Sequence, residues 1–196
     1  MTAAVGRPEP QGAVAVVGFM GAGKSAVGRA LAEVLGLPFT DTDDLVTRIE
    51  GPIDEIFARR GEAAFRATER DVAAAAAARA LAVPGVLSLG GGAVLSREVR
   101  EAIGRLPHVV WLTASPDVLW ARVRASGLGK RPLARDREGF ERLLGVRAPL
   151  YRDVATLVVE NDGDKDPKAL AAEIAEALRA SGGRGEAALE TPGDPA

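Results

Sequence analysis

The 196-residue sequence contains no cysteine and only one histidine. Disulfide bonds and thiolate metal sites are therefore excluded, and a reducing compartment fits this composition. No apolar run approaches the roughly 20 residues that a membrane-spanning helix needs. Residues 1–11 contain proline, glycine and single charges, where a signal peptide would have an apolar segment. We therefore expect a cytoplasmic protein.

An excess of charge of one sign is also lacking, because the 27% of charged residues balance to a formal net charge of -2. Aromatic residues make up only 4% of the chain. This composition argues against a nucleic-acid partner and against a membrane-surface partner, since both need basic patches. We place one globular domain at residues 12–180. The Gly-, Pro- and Glu-rich residues 181–196 and residues 1–11 are expected to be disordered tails.

Short apolar segments alternate with stretches of helical periodicity. Segment 13–17 is β-branched and ends in glycine, which is typical of a strand buried on both faces. Further strands are predicted at 37–40, 86–89, 109–112 and 156–159, and helices at 24–35, 54–60, 62–82, 116–124, 137–154 and 167–180. This alternation predicts βαβ units and a mostly parallel sheet, with ligands at the carboxyl ends of its strands.

A phosphate-binding motif follows the first strand. Gly18 to Ser25 spell GFMGAGKS, which matches the pattern G-x-x-x-x-G-K-[ST]. Backbone N–H groups of such a loop surround phosphate oxygens at the positive end of the following helix. An ordinary glycine turn is the alternative, but it does not explain why Lys24, one of four lysines among 25 basic residues, stands here. The motif predicts a nucleotide and Mg²⁺, with Ser25 binding the metal.

Two carboxylates follow the strand at 37–40. Asp41 and Asp43 could divide two tasks, one holding a magnesium-bound water and the other orienting or deprotonating an acceptor hydroxyl. The same residues could instead form the N-cap and acidic first turn of a helix. Spacing alone leaves both interpretations open.

Three arginines are candidates for binding anions: Arg66, Arg131 and Arg147. Guanidinium groups suit carboxylates and phosphates in bidentate geometry. Arg131 follows a glycine-bearing segment, which suits a lid that closes over the transferred phosphoryl group. Each arginine could equally lie on a solvated helix face, because arginine is common in this chain.

Together these motifs resemble those of the shikimate kinase family. The matching blocks occur in the family's order: Gly18 to Ser25, Asp41 to Asp43, Ile53 to Phe57 with Gly61-Glu62 and Phe65-Arg66, Leu89 to Gly92, Arg131 to Leu133, and Arg147 to Tyr151. The resemblance implies an α/β fold, a P-loop three-layer α/β/α architecture with a five-stranded parallel sheet, like that of nucleoside monophosphate kinases. It also implies a mobile lid at about 124–136 and a substrate-binding helical segment at about 44–72.

The resemblance further implies ATP-dependent phosphorylation of the 3-hydroxyl group of shikimate, a step toward chorismate and the aromatic amino acids. ATP and shikimate would be the small-molecule partners of a chain that we expect to be a monomer. The implied nucleotide-binding residues are Gly21, Ala22, Gly23, Lys24, Ser25, Ala26, Arg124, Arg131, Lys165 and Pro167. The implied substrate-binding residues are Asp43, Arg66, Gly91, Gly92 and Arg147. Lys24, Asp43 and Arg131 would be catalytic, and Mg²⁺ would be bound by Ser25 and, through water, by Asp41.

The sequence departs from the family pattern at two places. Ala26 stands where threonine is usual, so a hydroxyl group near the α-phosphate is missing, and we expect weaker nucleotide binding. The segment 50–53 is one residue shorter than usual, which could shift the pocket wall.

Two other functions compete with this interpretation. One is a kinase for another polyhydroxy acid, such as gluconate. The other is a nucleotide-responsive binding module without turnover. Residues outside the motifs are expected to be structural: His108 is structural or exposed, and Trp111 and Trp120 pack in the core or at its edge.

Overall fold

The computed structural model describes residues 12–125, 136–163 and 165–181. Most of the expected lid, including Arg131, lies outside the described residues, as do residues 1–11 and 182–196. Ser181, which the sequence analysis assigned to the C-terminal tail, is instead the last residue of the final helix.

Five parallel strands form one sheet, with the spatial order β2-β3-β1-β4-β5. They are β1 Val14–Val17, β2 Phe39–Asp41, β3 Val86–Ser88, β4 His108–Thr113 and β5 Leu157–Glu160. In the central strand β1, Val14 lies opposite Val86 on one side and opposite His108 on the other. The predicted parallel sheet is confirmed, with strand ends that differ from prediction by one or two residues.

Seven α-helices and one short 3-10 helix are found in the described residues. They are α1 Lys24–Leu35, α2 Thr42–Glu50, α3 Ile53–Ala82, the 3-10 helix Ala93–Leu95, α4 Arg97–Ile103, α5 Pro116–Ala125, α6 Arg137–Val154 and α7 Pro167–Ser181. Periodicity did not predict α4, because seven residues span only about two turns. None of the helices in this part of the chain is long and apolar enough to cross a membrane.

The long helix α3 changes direction at Gly61. This residue has φ 78° and ψ 173°, so the helical backbone is interrupted there. Glycine adopts this conformation without the steric cost that a Cβ would add. The two helices predicted at 54–60 and 62–82 therefore correspond to the two arms of one kinked helix.

The buried apolar side chains form two separate clusters. The larger one surrounds the sheet and includes all of β1. The smaller one consists of Val46, Ile56 and Phe65, with Phe57 packed against it at a ring-centroid distance of 4.7 Å from Phe65. This second cluster joins α2 to α3 beside the sheet, and we call it the α2–α3 core.

The three residues expected to be structural lie in the core or at its edge. His108 is only 2% exposed, and its Nε2 has no hydrogen-bond partner among the described atoms. Trp111 is buried and stacks on Tyr151 at a centroid distance of 6.1 Å. Trp120 is partly buried and packs edge-on against Phe140.

His108 is expected to make stability depend on pH. Burial lowers the pKa of its imidazole from the ordinary value of 6.5. As the pH falls below 6.5, the unfolded chain gains a proton before the folded chain does, so the free energy of unfolding decreases until the pH reaches the folded pKa. Between about pH 7.5 and pH 5.5, the free energy of unfolding measured with urea should decrease more in the wild type than in His108→Gln. Equal losses in the two proteins would contradict this assignment.

Candidate active site

A cavity of about 320 Å³ lies where the loops after β1, β2 and β3 meet. Its lining residues are Met20, Gly21, Gly23, Lys24, Ser25, Ala26, Asp43, Phe57, Phe65, Arg66, Glu69, Gly91, Gly92 and Arg147. The phosphate-binding motif, the second aspartate, two candidate arginines and two glycines thus come together, although they are widely spaced in the sequence. A site at the carboxyl ends of parallel strands is the position expected for this fold class.

The phosphate-binding loop connects β1 to α1. Gly23 caps α1 with a left-handed backbone at φ 88° and ψ 16°, and no side chain caps the helix. The first turn of α1 also has no acidic residue, so the positive end of the helix remains suited to an anion. Lys24 begins α1, and its Nζ donates a hydrogen bond of 3.2 Å to the carbonyl oxygen of Phe19 across the loop. The loop therefore has the geometry of a phosphate cradle.

Asp41 connects this loop to α2. Its Oδ2 accepts a 2.6 Å hydrogen bond from the Ser25 hydroxyl, and its Oδ1 accepts a 2.9 Å hydrogen bond from the backbone N–H of Asp43. Asp41 is thus the N-cap of α2 while it also contacts the motif serine. Asp43 lies in the first turn of α2 and lines the cavity. The interpretation as an N-cap and acidic first turn is therefore confirmed, and the roles of the two carboxylates toward Mg²⁺ and an acceptor hydroxyl remain predictions.

A buried cluster of charges forms the opposite wall. Arg66 donates to Glu69 at 2.5 Å and to Glu62 at 3.3 Å. Glu69 and Arg147 are each only 3% exposed. Burial raises the pKa of Glu69, and the Arg66 guanidinium partly offsets this effect.

Arg147 also belongs to this wall, and not all of its N–H donors are used by the described part of the protein. Its NH1 group donates to the carbonyl oxygen of Gly91 at 3.3 Å, while its buried Nε has no partner among the described atoms. Burial lowers the pKa of Arg147, but a guanidinium in a protein remains charged at neutral pH. Arg147 is therefore incompletely paired within the described residues, which suits an additional anionic ligand.

The three glycines after β3 allow charged groups to approach closely. A Cβ at Gly90 would lie 2.5 Å from Asp43 Oδ1, and one at Gly92 would lie 1.8 Å from an Nη atom of Arg66. A Cβ at Gly91 would meet nothing closer than 3.5 Å. A side chain at Gly90 or Gly92 would therefore displace these charged groups from their observed positions.

Three residues of the site were not singled out from the sequence. Glu69 holds Arg66, Tyr151 donates a 2.6 Å hydrogen bond to the carbonyl oxygen of Gly91, and Thr42 accepts a 2.9 Å hydrogen bond from Gly90 N–H. Glu69 lies three residues after Arg66 and Tyr151 four after Arg147. That spacing places each pair on one helix face and was the available signal. Thr42 has no comparable signal.

Several predicted nucleotide contacts do not line the cavity. Ala22 is buried within the loop. The guanidinium carbon of Arg124 lies 5.9 Å from the ring centroid of Trp120, and Lys165 pairs with Glu173 at 2.6 Å. Pro167 is the first residue of α7. The adenine contacts implied for Arg124, Lys165 and Pro167 therefore remain predictions, as does the role of Arg131.

Comparisons with known proteins agree with this geometry. The protein-family model for shikimate kinase matches residues 20–179. A shikimate kinase from Saccharopolyspora erythraea is 48% identical over 170 residues, which cover 84% of this chain and 93% of that protein.

Among solved structures, a shikimate kinase is again similar to this chain. A shikimate kinase from Acinetobacter baumannii in complex with shikimate has a TM-score of 0.79 and 33% identity, covering 88% of this chain and 96% of that one. A gluconokinase from Sinorhizobium meliloti is less similar, with a TM-score of 0.56 and 25% identity, covering 89% of this chain and 99% of that one. The sequence identity, the coverage and the arrangement of the cavity lead to one conclusion: this chain belongs to the shikimate kinase family.

Proposed function

We propose that this chain transfers the γ-phosphoryl group of ATP to the 3-hydroxyl group of shikimate, giving shikimate 3-phosphate and ADP. The main support is one observation. A phosphate cradle, Asp43 and a pair of arginines, one of them deeply buried, line a single cavity. The reaction is a step toward chorismate and the aromatic amino acids.

The arginine wall suits the acceptor's carboxylate. Shikimate has one carboxylate and three hydroxyl groups, so it needs a cationic clamp and a group that recognises hydroxyls. Arg66 and Arg147 supply the clamp, and Glu69 holds Arg66 in place through their 2.5 Å contact. Gly91 and Gly92 line the same cavity, and their backbone would border the shikimate ring.

Asp43 is the group that meets the reacting hydroxyl. It follows β2 at the first turn of α2, and its backbone N–H is fixed by Asp41. A carboxylate at this position can align the 3-hydroxyl group with the γ-phosphate and accept its proton during transfer. Phosphoryl transfer depends mainly on such positioning and on charge neutralisation.

The nucleotide half of the site neutralises phosphate charge. Lys24 would exchange its contact with Phe19 for the β- and γ-phosphates, and Arg131 would approach from the lid. The Ser25 hydroxyl and the Asp41 carboxylate are oxygen donors of the kind that Mg²⁺ prefers, and their contact fits direct binding by Ser25 with Asp41 acting through water. When bound there, Mg²⁺ would supply positive charge that offsets the negative charge of the phosphates.

Ala26 provides a test of the nucleotide half. It lines the cavity in the first turn of α1 and is exposed, so a threonine would fit there. We expect Ala26→Thr to lower the KM for ATP by about threefold, because one added hydrogen bond contributes roughly 0.5–1.5 kcal/mol. Ala26→Val adds similar bulk without a hydroxyl and is the control. Equal ATP affinity in wild type and Ala26→Thr would contradict the assignment.

The function itself is tested by ADP release from ATP and Mg²⁺ with shikimate, with gluconate, or without an acceptor. Release that depends on shikimate is the expected result. ADP release that depends on gluconate would instead indicate that this chain is a gluconate kinase. Tight ATP binding without turnover on any acceptor would favour a binding module.

We also propose that the chain acts as a monomer in the cytoplasm. The phosphate loop, Asp43 and the two clamp arginines that the proposed reaction uses all belong to a single chain. Sedimentation of the purified protein at several concentrations would test the monomer.

A further inference from the structure

Two side chains outside the phosphate-binding motif donate hydrogen bonds to backbone carbonyl groups of its loop. Arg122, in the last turn of α5, donates to the carbonyl oxygen of Gly21 at 3.3 Å. Asn161, directly after β5, donates from Nδ2 to the carbonyl oxygen of Ala22 at 2.9 Å. Both residues are partly buried, and Asn161 is the only asparagine in the sequence.

The two donors are also connected to each other. Arg122 donates to the backbone carbonyl oxygen of Asn161 at 2.8 Å, and the backbone N–H of Asn161 donates to Thr113 at the end of β4 at 2.8 Å. A Cβ at Gly23 would lie 2.7 Å from Asn161 Nδ2, so the loop and this side chain are in close contact. The loop is thus tied to two strands and a helix that lie far from it in the sequence.

Peptide geometry links these contacts to phosphate binding. In a planar trans peptide, the C=O and N–H groups point in opposite directions. The hydrogen bond to the Gly21 carbonyl therefore fixes the direction of Ala22 N–H, and the bond to the Ala22 carbonyl fixes that of Gly23 N–H. Ala22 N–H points to Phe19 O at 3.2 Å, the same oxygen that Lys24 Nζ contacts. The bond to the Gly21 carbonyl therefore supports the turn that Ala22 N–H closes on Phe19, and the bond to the Ala22 carbonyl sets the direction of the N–H of Gly23, which lines the cavity.

We propose that Arg122 and Asn161 are positioning residues for the nucleotide: they fix the Gly21–Ala22 and Ala22–Gly23 peptides and so preorganise the loop, with Gly23 N–H directed to receive a phosphate oxygen. This inference deepens the proposed function, because it concerns the nucleotide half of the same site. A preformed loop binds phosphate without first losing the conformational freedom of its peptides. Loss of either side chain should weaken nucleotide binding and leave the shikimate half unchanged.

Calorimetric titration of the full chain with ADP and Mg²⁺ tests the proposal without an acceptor. Asn161→Asp keeps the side-chain shape but places a carboxylate oxygen against the Ala22 carbonyl. Arg122→Gln removes the guanidinium. We expect each variant to raise the Kd for ADP about tenfold, which corresponds to about 1.4 kcal/mol. The milder variants Asn161→Ser and Arg122→Lys cover the case in which a first variant does not fold, and each should raise the Kd less.

The exposed Arg97 on α4 provides the control variant Arg97→Gln, which should bind ADP like the wild type. In active variants the KM for shikimate should change by less than about twofold. General damage to the fold would instead raise both the Kd for ADP and the KM for shikimate. Folded variants with wild-type affinity for ADP would overturn the proposal. Failure of the proposed function is a separate outcome, since it would appear as wild-type protein that binds ADP but does not phosphorylate shikimate.

Discussion

Replacing Asp43 with asparagine is expected to lower kcat for shikimate phosphorylation by about 10²- to 10⁴-fold, the range of a positioned acid–base group. Asparagine has nearly the same shape, but its amide cannot accept the hydroxyl proton. Asp43 lines the cavity, and a Cβ at Gly90 would lie only 2.5 Å from its Oδ1, so the carboxylate has little room to move. The affinity for ADP should change little, because the phosphate loop is not altered. Steady-state kinetics with both substrates and ADP titration measure these quantities.

The neighbouring Asp44 is the matched control. It is exposed on α2, and Asp44→Asn makes the same chemical change outside the cavity. This variant should keep wild-type kcat. A kcat for Asp43→Asn within tenfold of the wild type would show that the carboxylate only aligns the hydroxyl, since an amide could still provide that hydrogen bond.

Gly92→Ala is expected to raise the KM for shikimate by about 100-fold. If Arg66 is displaced, the carboxylate of bound shikimate is buried with only one of its two arginine partners. The new Cβ would lie 1.8 Å from an Nη atom of Arg66 and 2.7 Å from Glu69 Oε2. The end of a long side chain can move, so the protein should still fold. In moving, however, Arg66 would lose the position in which it faces the substrate carboxylate.

Gly91→Ala provides the comparison at the adjacent residue. Its nearest contact would be an ordinary 3.5 Å, so the KM for shikimate should change by less than about threefold. The affinity for ADP should remain at the wild-type value in both variants. Equal values of KM in the two variants would mean that Arg66 does not bind the carboxylate from its observed position.

The sequence predicted the features that depend on local spacing. The phosphate-binding loop is one continuous motif, so its position between β1 and α1 follows directly from the printed residues. The break at Gly61 was also visible, because a glycine interrupts the helical periodicity there. The alternating strands and helices were sufficient for the parallel sheet.

Features that depend on burial could not be deduced in the same way. Arginine is abundant in this chain, so spacing did not distinguish the 3% exposed Arg147 from arginines on solvated helix faces. The residues made Arg147 one of three candidates, and only the family resemblance gave it a role in binding the substrate. Asp41 was ambiguous for a different reason, since one carboxylate has two oxygens and here each accepts a different hydrogen bond. Glu69 was missed because its role follows from the approach of Arg66, Gly90 and Gly92 in three dimensions.

The division of the apolar side chains into two cores has an evolutionary consequence. The sheet and its large core support the phosphate loop, whereas Phe57 and Phe65 of the α2–α3 core also line the cavity, on the side proposed for the acceptor. Substitutions in the small core can therefore reshape the acceptor pocket while the nucleotide half keeps its geometry. A lineage could exchange one acceptor alcohol for another by changing α2 and the first arm of α3.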